Sequence, residues 1–127
     1  MSSTPRIRLL LVEDQTLVRH SLRSVLEAHP HFELIGEASD GEEAVACVEE
    51  LQPTVVIMDI NMPRMDGVAA TRAIKAQFPD VAIVGLTITA EGYHQSAMRR
   101  AGAFDVLSKG RTSLEQLYGT IETAAGR

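Results

Sequence analysis

The sequence predicts an α/β fold in which a five-stranded parallel sheet carries helices on both faces. Three observations predict it. Short apolar runs rich in β-branched residues, such as Val55-Val56-Ile57-Met58, have the length and makeup of strands buried on both sides. Stretches with apolar residues at helical spacing alternate with these runs five times. Two of the runs end in acid, at Glu13-Asp14 and at Asp59, as a strand does when it leaves the core for solvent.

In chain order, Met1 to Pro5 is a short polar lead without periodicity, expected to be flexible. Ile7 to Val12 is the first strand. Leu17 to Ala28 carries Val18, Leu22, Val25 and Leu26 on one helical face, and Pro30 lies just past its end. Phe32 to Ala38 is the second strand. Ser39-Asp40-Gly41-Glu42 matches a Ser-x-x-Glu capping box, which predicts a helix with Ala44, Val45, Val48 and Leu51 inward. The third strand ends at Asp59; Gly67 then marks a tight loop, and Ala70, Ile74 and Phe78 line one face of the third helix. Val81 to Thr87 is the fourth strand. Glu91 to Ala101 offers only Ala97, Met98 and Ala101 as an apolar face, contains Gly92 near its start and meets a cap at Gly102, so this helix is expected to be weakly anchored. Phe104 to Leu107 is the fifth strand, and Thr112-Ser113-Leu114-Glu115 reads as a capping box before a helix with Leu114, Leu117, Tyr118 and Ile121 inward.

Right-handed crossovers between such strands favour the flavodoxin-like (βα)5 order 2-1-3-4-5, which sets the first and third strands side by side at the switch point. Glu13, Asp14 and Asp59 then meet at the carboxyl edge of the sheet. Residues 1–127 are expected to form one domain, since 127 residues with 45% hydrophobic content suffice for one core. The net charge of -5 argues against a phosphate-gripping surface, so no direct nucleic-acid contact is expected of this segment. A single cysteine, Cys47, excludes an internal disulfide; set among Ala44, Val45 and Val48, it reads as a buried structural thiol. The lack of a signal peptide or long apolar span points to the cytoplasm, with no membrane role. His20, His29, His31 and His94 include no pair at the helical spacing of a zinc site.

Three carboxylates at one edge repel: at about 4 Å and an effective dielectric near 20, a like-charge pair costs roughly 4 kcal/mol. A hard cation offsets this, and Mg2+ suits a site of one or two carboxylates, waters and phosphate oxygens. Lys109 brings a positive charge to the same edge and Thr87 a hydroxyl. Singly, each residue has a plain alternative: a capping Asp59, a solvated Lys109, an ordinary strand Thr87, and Glu13-Asp14 as charges at a helix N-terminus. Together they suit phosphoryl transfer, with Asp59 as the nucleophile that becomes an aspartyl phosphate.

Val12-Glu13-Asp14, Met58-Asp59-Ile60-Asn61-Met62-Pro63 with Asp66-Gly67, Leu86-Thr87, and Ala101-Gly102-Ala103 leading to Lys109 resemble the receiver domain of bacterial two-component response regulators. The likeness covers almost the whole chain, and separated elements agree in order and spacing. Leu17-Val18-Arg19 with Leu22-Arg23, and the stretch from Gly36 to Gly41, further resemble the NarL/FixJ subfamily, whose members usually carry a C-terminal helix-turn-helix domain. The resemblance implies that Asp59 accepts phosphate from a sensor histidine kinase. It also implies that Glu13, Asp14, Asp59 and the Asn61 backbone carbonyl serve Mg2+ directly or through water, and that Thr87 and Lys109 contact the phosphoryl group. The surface of the fourth helix, fifth strand and fifth helix would then change shape. It allows a homodimer without marking its interface. One departure bears on switching: Val106 stands three residues before the lysine, where receivers usually carry an aromatic.

Two other classes and one variant of the same class compete. An aspartyl phosphatase or phosphotransferase would place a second Asp two residues after the nucleophile, and here that position is Asn61, which cannot shuttle a proton. A flavodoxin-like cofactor binder would want a phosphate-cradling loop where Glu13-Asp14 stands. A stand-alone receiver acting by protein contact is the alternative to the receiver part of a transcriptional regulator.

Overall fold

Strand β1, Ile7–Val12, lies between β2 (Phe32–Ala38) and β3 (Val55–Asp59), and β4 (Ala82–Thr87) and β5 (Asp105–Ser108) extend the sheet on the far side of β3. The computed structural model describes residues 5–88 and 93–126. Most of the expected flexible lead, and Glu91 and Gly92 at the expected start of the fourth helix, lie outside them. All four strand pairings are parallel, and the order β2-β1-β3-β4-β5 is the one predicted.

The central strands β3 and β4, and β1 apart from Arg8, are buried on both sides because both sides are covered. Alternate side chains divide between two cores. Ile7, Leu9 and Leu11 of β1 and Val55 and Ile57 of β3 pack with Leu26 of α1 (Thr16–Glu27) and Leu117 and Ile121 of α5 (Leu114–Ala124). Leu10, Val12, Val56, Met58 and Ile83 face the other way, against α2 (Gly41–Leu51), α3 (Gly67–Gln77) and α4 (Tyr93–Ala101), through Ala44, Val48, Ala70, Ile74 and Met98. Each buried Leu, Ile or Val of these strands contributes roughly 1.5–3 kcal/mol relative to exposure. The register Leu10↔Val56, Leu11↔Ile57, Val12↔Met58 brings β1 and β3 to the carboxyl edge at one level. Glu13 therefore emerges beside Asp59.

Helix ends differ from expectation by a residue. Asp40, not Ser39, caps α2: its side chain accepts from the Glu43 backbone N–H at 2.9 Å, while Glu43 reaches back to the Ser39 N–H at 3.1 Å. Ser113, not Thr112, caps α5, in a reciprocal box with Gln116. Starting the helix one residue later leaves Leu114 at its first position and half-exposed, whereas Leu117 and Ile121 are buried. Phe104 stands just ahead of β5 and is also half-exposed. The face of α4 is as expected, Ala97, Met98 and Ala101, and Gly102 ends that helix with φ 114°. The Thr71 hydroxyl of α3 donates to Met98 Sδ at 3.8 Å, tying the two helices together. Cys47 is only partly buried; burial, then Glu43 and Glu50, push its thiol above the usual range, which suits an inert group.

Candidate functional site

Every sequence-predicted site residue leaves the sheet at its carboxyl edge. Glu13 and Asp14 follow β1, Asp59 ends β3, Thr87 ends β4 and Lys109 follows β5. The backbone locks these ends together: Glu13 N–H donates to Ala38 O at 3.0 Å, Ile60 N–H to Leu86 O at 3.1 Å, and Lys109 N–H to Thr87 O at 2.8 Å. Gly67 is required beneath the site, because a Cβ there would lie 2.3 Å from Asp59 O. Its N–H donates to Ile60 O at 2.8 Å, closing the loop after β3.

Glu13, Asp14 and Asp59 each present a carboxylate oxygen within 4.8 Å of the others. Glu13 and Asp59 are buried and Asp14 partly so. Lys109 Nζ donates to Glu13 Oε1 at 2.7 Å and lies 3.1 Å from Asp59 Oδ1. Glu13 is held further by the Gln15 N–H at its Oε2, 3.2 Å, and Arg19 Nη1 donates to its backbone carbonyl at 2.8 Å. Asn61 is exposed at the start of the loop after β3.

These surroundings raise Asp59 to about 7: burial disfavours its charge, Glu13 repels it, and Lys109 offsets only part of this. Burial works against the Lys109 ammonium, but Glu13 and Asp59 outweigh it and hold the lysine above its ordinary value. Thr87 Oγ1 is buried and, among the described residues, has no hydrogen-bond partner. Leaving a buried hydroxyl unpaired costs about 1–3 kcal/mol. Among the described residues the hydroxyl is thus left free to contact a group bound at this edge.

The oxygen-only donor set fits a hard divalent cation, and a net negative cluster with one lysine has charge to spare for it. Mg2+ would be held by Glu13, Asp14 and Asp59.

Two residues of this edge were not foreseen. Asp40 is buried, and Arg64 of the loop after β3 donates to its Oδ2 from Nε at 3.0 Å and also from Nη2. The Glu43 backbone N–H and then Arg64 hold the Asp40 carboxyl below the usual carboxylate range. The adjacent Ser-Asp-Gly turn was the only sequence signal for Asp40; nothing in the pattern marked Arg64.

The response regulator receiver domain family model matches residues 9–122. The transcriptional regulatory protein LiaR of Bacillus subtilis is 43% identical over 103 residues, 81% of this chain and 49% of LiaR. A protein-glutamate methylesterase/protein-glutamine glutaminase of Myxococcus xanthus is 42% identical over 104 residues, 81% of this chain and 30% of that protein. The chain thus spans about half the length, or less, of these curated relatives. The crystal structure of a LuxR-family two-component response regulator from Aurantimonas superposes with a TM-score of 0.89 at 30% identity, over 96% of this chain and 87% of that one. Five parallel strands in the order 2-1-3-4-5, an acidic edge and a match over nearly the whole length agree: the chain belongs to the response regulator receiver domain family of two-component systems.

Proposed function

We propose that the chain is a phosphorylation-controlled switch in which Asp59 accepts a phosphoryl group from a phosphohistidine of a sensor histidine kinase. The observation that carries this reading is the placement of one buried carboxylate, Asp59, between the Lys109 ammonium and two further carboxylates at an edge where the Thr87 hydroxyl lacks a partner. An Asp59 oxygen attacks phosphorus, the P–O bond forms as the P–N bond breaks, and the imidazole leaves and takes up a proton. Lys109 and Thr87 contact the phosphoryl oxygens. Glu13, Asp14, Asp59 and the Asn61 backbone carbonyl would hold Mg2+ directly or through water, and the ion would supply positive charge to offset that of the phosphoryl group.

Asn61 supports a held signal over turnover of an external substrate, since an amide two residues past the nucleophile moves no proton. The relatives support a role as the receiver part of a transcriptional regulator, LiaR being one. Nucleic-acid contact then belongs to another domain, in keeping with the net charge of -5. Among the described residues no helix is long and apolar enough to cross a membrane. Val106, three residues before Lys109, is buried, so switching proceeds without an aromatic rotamer there.

Incubation with phosphoramidate and Mg2+ followed by intact mass tests the reading. One phosphate adduct is expected, and it should vanish in Asp59→Asn. No adduct, or one that survives this substitution, would overturn it.

A further inference from the structure

The loop that follows Asp59 carries a residue in a conformation its side chain does not favour. Arg64 has φ 64°, in the left-handed region where a Cβ crowds the backbone. Among the described non-glycine residues only Gln52, the C-cap of α2, shares it. Gln52 ends a helix, where such a residue is common. Arg64 sits inside the loop, five residues beyond Asp59.

What holds it there is Asp40. Both the Nε and the Nη2 of Arg64 donate to Asp40 Oδ2, while Oδ1 of the same carboxylate caps α2 through the Glu43 N–H. Beside this pair the Gly41 N–H donates to Met65 O at 3.0 Å, and a Cβ at Gly41 would lie 2.2 Å from that oxygen. The turn before α2 is thus pressed against the loop after β3. The Arg64 side chain is 63% exposed and bonds to Asp40, not to the carboxylate cluster. Its influence on the site must pass through the loop backbone.

We infer that Arg64 is a positioning residue for phosphoryl transfer: its two bonds to Asp40 hold the loop, and with it the Asn61 backbone carbonyl, in the conformation that receives the cation. The inference rests on the proposed function. The ion pair offsets the backbone cost of a left-handed arginine, and glycine, which takes that backbone freely, would lose the clamp.

Arg64→Gly separates positioning from stability. It relieves the backbone and removes the clamp, so its thermal midpoint should stay close to that of the parent chain. Mg2+ affinity by isothermal titration should fall about tenfold, as when a group supporting a metal ligand is lost. The rate of phosphoramidate labelling at subsaturating Mg2+ should fall with it and recover as Mg2+ is raised. Arg64→Lys, which keeps the charge, should rescue in part. Asp40→Asn retains an acceptor for the Glu43 N–H and should reproduce the loss, which keeps the test usable if Arg64→Gly folds poorly. Mg2+ affinity and labelling unchanged in both Arg64→Gly and Asp40→Asn would overturn the inference while leaving the phosphoacceptor reading intact. A parent chain that takes no phosphate would overturn both.

Discussion

The Lys109 ammonium donates to Glu13 Oε1 at 2.7 Å, joining the end of β5 to the end of β1 across 96 residues of sequence. The same nitrogen lies 3.1 Å from Asp59, so one cation serves two buried carboxylates. Removing it with Lys109→Met leaves both charges without an ionic partner. In EDTA at pH 8, urea unfolding should show a loss of about 3–5 kcal/mol, the usual cost of breaking a buried pair from one side. Adding Glu13→Gln should return part of that loss. A Lys109→Met protein as stable as its parent under these conditions would mean that the pair carries no such charge balance.

The elevated Asp59 sets a pH dependence with a definite sign. Its carboxyl rises from 3.8 to about 7 on folding, so the folded state binds the proton more tightly than the unfolded state. Stability is therefore lost as pH rises between these values, by up to a few kcal/mol at about 1.4 kcal/mol per pH unit, and levels off above. In EDTA the parent chain should be less stable to urea at pH 8 than at pH 5, and Asp59→Asn should flatten that difference. Mg2+ should restore stability at pH 8, because on the proposed reading it would bind the ionised site. An equally steep pH dependence in Asp59→Asn would assign the effect elsewhere.

The parts of this site that could be read from the chain are those carried by strand ends. Ile7–Val12, Phe32–Ala38 and Val55–Asp59 have the predicted bounds because a short apolar run between turn residues has few other places to go. Once β1 and β3 are neighbours, Glu13 and Asp59 must meet. The caps were displaced by one residue because Ser39-Asp40 and Thr112-Ser113 each offer two competent caps in succession, and local spacing does not choose between them. At Asp40 a distant partner accompanies the choice: Arg64, 24 residues on, bonds to the capping carboxylate. A left-handed arginine held by such a pair leaves no trace in periodicity. Likewise the isolation of the Thr87 hydroxyl depends on what surrounds it in space, not on its place after Leu86.

On the proposed reading, a phosphoryl group on Asp59 would supply the partner that the Thr87 hydroxyl lacks among the described residues. Thr87→Val removes a buried hydroxyl that has no partner among the described residues, so the unmodified protein should gain about 1 kcal/mol in urea unfolding. The phosphoryl group would in turn lose a donor, and the labelled fraction at a fixed phosphoramidate concentration should drop. Destabilisation by Thr87→Val in the absence of Mg2+ would show that the hydroxyl is satisfied at rest.

Two glycines should respond in opposite ways to the same added methyl. At Gly67 the new Cβ would lie 2.3 Å from Asp59 O and 2.8 Å from Ile60 Cα, and backbone atoms cannot turn aside as a flexible side chain can. Gly67→Ala should cost about 3 kcal/mol by overpacking, and it should slow phosphoramidate labelling because the atom displaced belongs to Asp59. At Gly110, next to Lys109, a Cβ meets nothing within 4 Å. Gly110→Ala should be neutral or stabilise by up to about 1 kcal/mol through a less flexible unfolded chain. Urea unfolding of the two variants side by side decides it: if Gly67→Ala is as stable as Gly110→Ala, the close approach of α3 to the Asp59 backbone is not what shapes this edge of the sheet.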